Sequence, residues 1–195
     1  KVFDNVGLDT GPVSSESLVF LTSWGLKAVD PVTEEVRWEH TGTYYSLYYD
    51  DGVLYVRTKT NAIQAYDAQT GELIWSSPDT IGEGSLNWSL FIGSTDDVVL
   101  LLNEDRRSAV GFDKRTGGRA FKITSDEEMG VRGGEVFWTA TRRVSGELHV
   151  LGSDGETVAV FPDPTDGIAA STRGSQVAYV RGVDPLTYLT VASFG

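Results

Sequence analysis

Apolar and polar residues alternate in short runs along this chain, and the runs are strand-length. LVFLTSW at 18–24, VLYVRT at 53–58 and VVLLLN at 98–103 are rich in β-branched and aromatic residues and end at Gly, Asp, Asn or Ser. Such bounded runs predict β-strands. No window carries a sustained helical period with caps. The pattern predicts an all-β chain whose strands fall into groups at about 11–42, 43–80, 85–125, 130–163 and 167–195, the last with one strand fewer than the others. An apolar segment at 2–8, VFDNVGL, is placed to supply the missing strand. Closure of that kind removes exposed sheet edges, which otherwise invite aggregation.

A motif recurs behind the first strand runs. One shared offset carries Ala28 to Ala65, Asp30 to Asp67, Thr33 to Thr70, Glu35 to Glu72 and Trp38 to Trp75. A weaker third copy has Asp113, Thr116, Gly117 and Phe121 in place of Trp. A period of roughly 40 residues signals a solenoid, a propeller or an array. Asp-x-x-Thr-Gly is a tight turn in the second and third copies: the Asp carboxylate accepts from backbone N–H groups two residues on, and Gly tolerates positive φ. The first copy has Glu34 where the others have Gly71 and Gly117, so that turn must avoid positive φ or carry strain. The aromatic at a constant place predicts packing against the neighbouring unit.

The pattern Ala-x-Asp-x-x-Thr-Gly-x-x-x-Trp behind a Leu-Tyr-Val strand resembles the PQQ-like β-propeller repeat. That repeat occurs in quinoprotein dehydrogenases and in the BamB subunit of the bacterial outer-membrane assembly machine. The resemblance covers roughly 18–125 and implies a single propeller domain of four-stranded antiparallel blades over 1–195, the groups above being its blades. Two arrangements fit it: a closed five-bladed ring with the N-terminal strand in the last blade, or part of a seven- or eight-bladed ring. The chain begins with Lys rather than Met, which is expected of a processed or excised segment.

The resemblance also raises quinone-dependent catalysis. In those enzymes the cofactor is commonly held between a Trp and a disulfide of adjacent cysteines. This chain has no Cys, so that sandwich cannot form, nor can a thiolate zinc site or a cysteine nucleophile. With only two His, His40 and His149, a transition-metal site is not expected either. GVRGGE at 130–135 lacks the Lys-Ser/Thr of a phosphate loop and reads as a connection between blades. The expectation is therefore no catalytic residue, no cofactor and no metal, with a quinoprotein-like fragment as the exception. Asp30, Asp67 and Asp113 read as turn stabilisers.

Charge narrows the partner. Lys plus Arg number 16 against 28 Asp plus Glu, a net charge of -12. Phosphate binding needs a basic surface, so nucleic acid is not expected. No apolar run reaches the roughly 18 residues of a membrane span. Two segments stand out for binding. TYYSLYYD at 43–50 carries four Tyr on an expected innermost strand, and alternation puts Tyr45 with Tyr49 and Tyr44 with Tyr48. The polar connection 126–135, with Asp126, Glu127, Glu128, Met129 and Arg132, reads as the longest loop. Only turn and packing residues recur, which favours a scaffold that binds one or more proteins, in the cell envelope or outside a bacterial or archaeal cell. A small-ligand or carbohydrate-binding propeller is the alternative.

Overall fold

The computed structural model describes residues 13–22, 25–78, 90–102, 108–124, 129–133, 138–142, 147–151, 154–162, 170–173, 176–183 and 186–193. Segments 2–8 and 125–128 therefore lie outside the described residues. Every described element is a strand, and each sheet is an antiparallel meander in chain order. The chain divides into two compact units, Lys1–Leu86 with Thr116–Gly118, and Asn87–Arg115 with Arg119–Gly195.

The first unit holds two four-stranded sheets. One is β1 (Val13–Ser14), β2 (Val19–Leu21), β3 (Leu26–Val29) and β4 (Val36–His40). The other is β5 (Tyr44–Asp50), β6 (Val53–Thr58), β7 (Ile63–Asp67) and β8 (Leu73–Ser76), with β5 beside β1. The core lies between them: Leu18, Phe20, Leu26 and Ala28 meet Leu47, Leu54, Val56, Tyr66 and Ala68. Phe20, Leu26, Leu54 and Val56 are wholly buried, each worth about 1.5–3 kcal/mol of transfer free energy. Strand β6 is buried on both faces from Leu54 to Arg57, which is why its sequence runs apolar instead of alternating. The β5–β6 turn has φ of 42° at Asp51 and 80° at Gly52. Two successive positive φ values are those of a type I′ turn, whose twist matches the flanking strands.

The second unit holds β9 (Leu90–Ser94), β10 (Val98–Leu102), β11 (Ser108–Asp113) and β12 (Arg119–Thr124) in one sheet. A second contains β13 (Met129–Gly133), β14 (Trp138–Arg142), β15 (Glu147–Leu151) and β16 (Thr157–Pro162). A third contains β17 (Ala170–Arg173), β18 (Gln176–Val183) and β19 (Leu186–Ser193). Their first strands are neighbours, β13 touching both β9 and β17. Val98, Leu100, Ala109 and Phe121 form one core cluster of this unit, with Leu102 and Ile123 packed on it.

The outer strand of each four-stranded sheet carries one extra residue. Register slips where β4 meets β3 between Ala28 and Val29, and where β8 meets β7 between Ala65 and Tyr66. It slips again where β12 meets β11 and where β16 meets β15. A bulge bends and twists the bulged strand locally and re-aims the side chains beyond it. Here the residue beyond is Trp38, Trp75 or Phe121.

Candidate functional site

The repeated turn is built as its composition predicts. Asp30 Oδ1 accepts the N–H groups of Val32 at 2.9 Å and Thr33 at 3.0 Å. Asp67 Oδ1 accepts from Gln69 N–H at 2.9 Å, Thr70 N–H at 2.7 Å and Thr70 Oγ1 at 3.0 Å. Asp113 Oδ1 accepts from Arg115 N–H at 3.0 Å, and Thr116 Oγ1 from Gly118 N–H at 3.2 Å. The donors hold the Asp30 and Asp67 carboxylates in their charged form. Asp30 titrates down at about 2, chiefly through the Arg37 guanidinium 2.7 Å away and then through its backbone donors. Asp67 is lowered by the Thr70 N–H and hydroxyl and the Gln69 N–H.

Each turn glycine is also a seat for the preceding copy's ring. A Cβ on Gly71 would lie 2.7 Å from Cδ2 of Trp38, one on Gly117 2.7 Å from Cδ2 of Trp75, and one on Gly155 2.7 Å from Cγ of Phe121. Thr116–Gly118 groups with the first unit because Gly117 rests on Trp75. Polar contacts pin the first of these seats: the Trp38 indole N–H donates to the Ala68 carbonyl at 3.0 Å, and His40 Nε2–H donates to the Gly71 carbonyl at 2.7 Å. His40 is a packing residue, 4.8 Å centroid to centroid from the Tyr66 ring. Gly155 was not legible as a fourth member, because the copy around it has lost the Asp-x-x-Thr spacing. Its signal is the pair Gly155-Glu156, matching Gly71-Glu72.

The tyrosines of β5 do not alternate as the bare strand period predicts. Register shifts between Tyr44 and Ser46, so Tyr45 is the extra residue of a bulge. Tyr44 therefore shares the face of Tyr49, which packs toward Phe20 with ring centroids 5.9 Å apart. Tyr48 lies on the opposite face with its cross-strand partner Tyr55, at 6.4 Å. Tyr45, on that face too, covers the Arg57 guanidinium at 4.9 Å. All four rings are half-buried, so each is a packing residue with part of its surface still offered.

Arg57 is a charge in an apolar place. The residue is 3% exposed, its Nη1 donates to Asn61 Oδ1 at 3.2 Å, and its buried Nε has no acceptor among the described residues. Burial pushes its guanidinium pKa down, with Tyr45 opposing. A cation–π contact is worth about 0.5–2 kcal/mol, whereas desolvating an ion costs several, so the ring alone does not balance the charge.

The sequence profile of the family described as "Outer membrane protein assembly factor BamB" (PQQ_2) matches residues 3–128. The chain belongs to this BamB-like family. Its fold is also BamB-like. BamB from Moraxella catarrhalis superposes with a TM-score of 0.58 at 14% identity, over 91% of this chain and 56% of that one. The computationally designed Ika8 protein gives 0.60 at 12% identity, over 86% and 54%. The designed Ika4 protein gives 0.54 at 14% identity, over 80% and 90%. The chain thus spans about half the length of the first two and most of the third. No curated protein matches the sequence.

Two of the remaining candidates in this BamB-like chain fall differently from their sequence reading. Met129 and Arg132 lie in strand β13, paired with Arg142 and Thr139, and not in a loop. The glycines of MGVRG conceal a strand because they supply no alternation to read, while its pairing to β14 supplies the backbone hydrogen bonds. Asp126, Glu127 and Glu128 lie outside the described residues. Among the described residues no group of three or more His, Cys, Asp or Glu is placed to hold a metal ion, and no helix is long and apolar enough to cross a membrane.

Proposed function

We propose that this chain is a non-catalytic propeller scaffold that presents loops to partner proteins in an assembly of the cell envelope or outside the cell. The observation that supports it is how the recurring residues are used. Asp30, Asp67 and Asp113 give their carboxylates to turn N–H groups, and Trp38, Trp75 and Phe121 pack on the following turn. The repeat thus builds a rigid frame, and fold and activity are separable. An assembly-factor role is what the family description says of BamB, and a similar role is part of this proposal.

In this reading the sheets are blades of one propeller domain over 1–195. There are five, and segment 2–8 adds the fourth strand to β17–β19. Tyr44, Tyr45 and Tyr48 on β5 are one group of partner-binding residues in this proposal, and Asp126, Glu127, Glu128, Met129 and Arg132 are another. Half-buried tyrosines suit that role, since they offer an apolar ring and a polar tip together. No cofactor takes part.

In-cell cross-linking followed by mass spectrometry tests the proposal. One dominant stoichiometric protein, linked at or beside these residues, is the expected result. Links scattered over all faces, or none, would overturn it. Glycan binding in their place would move the assignment to the carbohydrate-binding propeller.

A further inference from the structure

The geometry points to Arg57 as the anchor of a binding site for a small oxyanion, a carboxylate or a phosphate. A guanidinium offers its donors along distinct edges. The Nη1 end is engaged by Asn61 Oδ1 at 3.2 Å, and the Tyr45 ring, 4.9 Å away, covers the face. What remains is the side fork of Nε and Nη2, whose two parallel N–H bonds match a carboxylate or phosphate edge. Nε, half of that fork, is buried and has no acceptor.

Two features hold the fork in place. Asn61 sits at a left-handed φ of 62° in the turn after β6, and its amide oxygen fixes the guanidinium from that side. Arg57 is also anchored in the sheet, with Ser46 and Ile63 as its cross-strand partners. A preset, desolvated fork binds an oxyanion without first losing side-chain freedom or water. An oxyanion there would supply both the missing acceptor and the missing countercharge.

The test is thermal unfolding in sodium phosphate, sodium acetate or sodium chloride at matched ionic strength. Either oxyanion at a tenfold excess over its Kd should raise the wild-type Tm by about 3–6 °C relative to chloride. A response to phosphate alone identifies a phosphate site, and one to acetate alone a carboxylate site. R57M should lose the response while remaining folded, because removing an uncompensated buried charge is seldom destabilising. R57K keeps the charge but lacks the fork, and should retain only a small part of the shift. A second measurement uses the wild-type chain alone: the Arg57 Nε–H proton resonance should move downfield on titration with the same salts. Equal Tm shifts in wild type and R57M, or an Nε–H resonance that neither oxyanion moves, would overturn the site.

Discussion

Gly71 lies directly against the indole of Trp38, so close that a Cβ would come within 2.7 Å of two ring carbons. The same glycine holds φ at 75°. Conformation and contact thus demand Gly independently, and a single methyl group violates both. Gly71→Ala and Gly117→Ala should each destabilise by about 2–4 kcal/mol, left-handed strain adding to overpacking. Urea unfolding measures this; a loss below about 1 kcal/mol would mean that the ring slides aside at little cost.

Glu34 occupies the equivalent position in the first copy, at φ 61°, and is exposed where Gly71 and Gly117 are buried. A non-glycine residue there carries the left-handed strain that Gly71 and Gly117 avoid. Glu34→Gly should stabilise by about 0.5–1 kcal/mol, the relief of left-handed strain exceeding the added freedom of the unfolded chain. A destabilised variant would show that Glu34's own contacts outweigh the strain.

Trp75 is 8% exposed and rests on Gly117 and against Tyr55, ring centroids 5.9 Å apart. Trp75→Ala should cost about 3–5 kcal/mol. Trp38→Phe keeps most of the ring area and loses the N–H bond to Ala68, so about 1 kcal/mol is expected. Equilibrium unfolding measures both; a Trp75→Ala loss below about 1 kcal/mol would mean that the ring anchors nothing.

Acid should weaken the first turn within a defined window. Asp30 ionises at about 2 in the folded chain, against 3.8 for an ordinary aspartate. A depressed carboxylate contributes stability that is fully present above the unfolded pKa and is lost as pH falls toward the folded one. The loss therefore falls between about pH 4 and pH 2. Asp30→Asn should flatten the stability profile there and leave it unchanged in slope near neutrality; an unaltered acid limb would remove Asp30 from the account.

If segment 2–8 completes the sheet of β17–β19, deleting it should abolish cooperative unfolding. A calorimetric transition unchanged in midpoint and width would rule that closure out.

Local chemistry and repetition were readable in the residues themselves. Strand runs, the Asx-type turn and the aromatic at a constant offset each depend on neighbours a few positions away, and repetition multiplied the signal across Asp30, Asp67 and Asp113. The bulges were not readable. A bulge at Tyr45 changes no residue type, yet it moves Tyr44 to the face of Tyr49 because side-chain direction depends on cross-strand register. The strand at Met129–Gly133 was missed because glycines hide the period. Why Gly155 belongs with Gly71, and why Arg57 is a buried cation instead of a solvated one, depend on which sheet lies above which. Those facts are properties of contacts between distant segments, and only the folded chain brings the segments together.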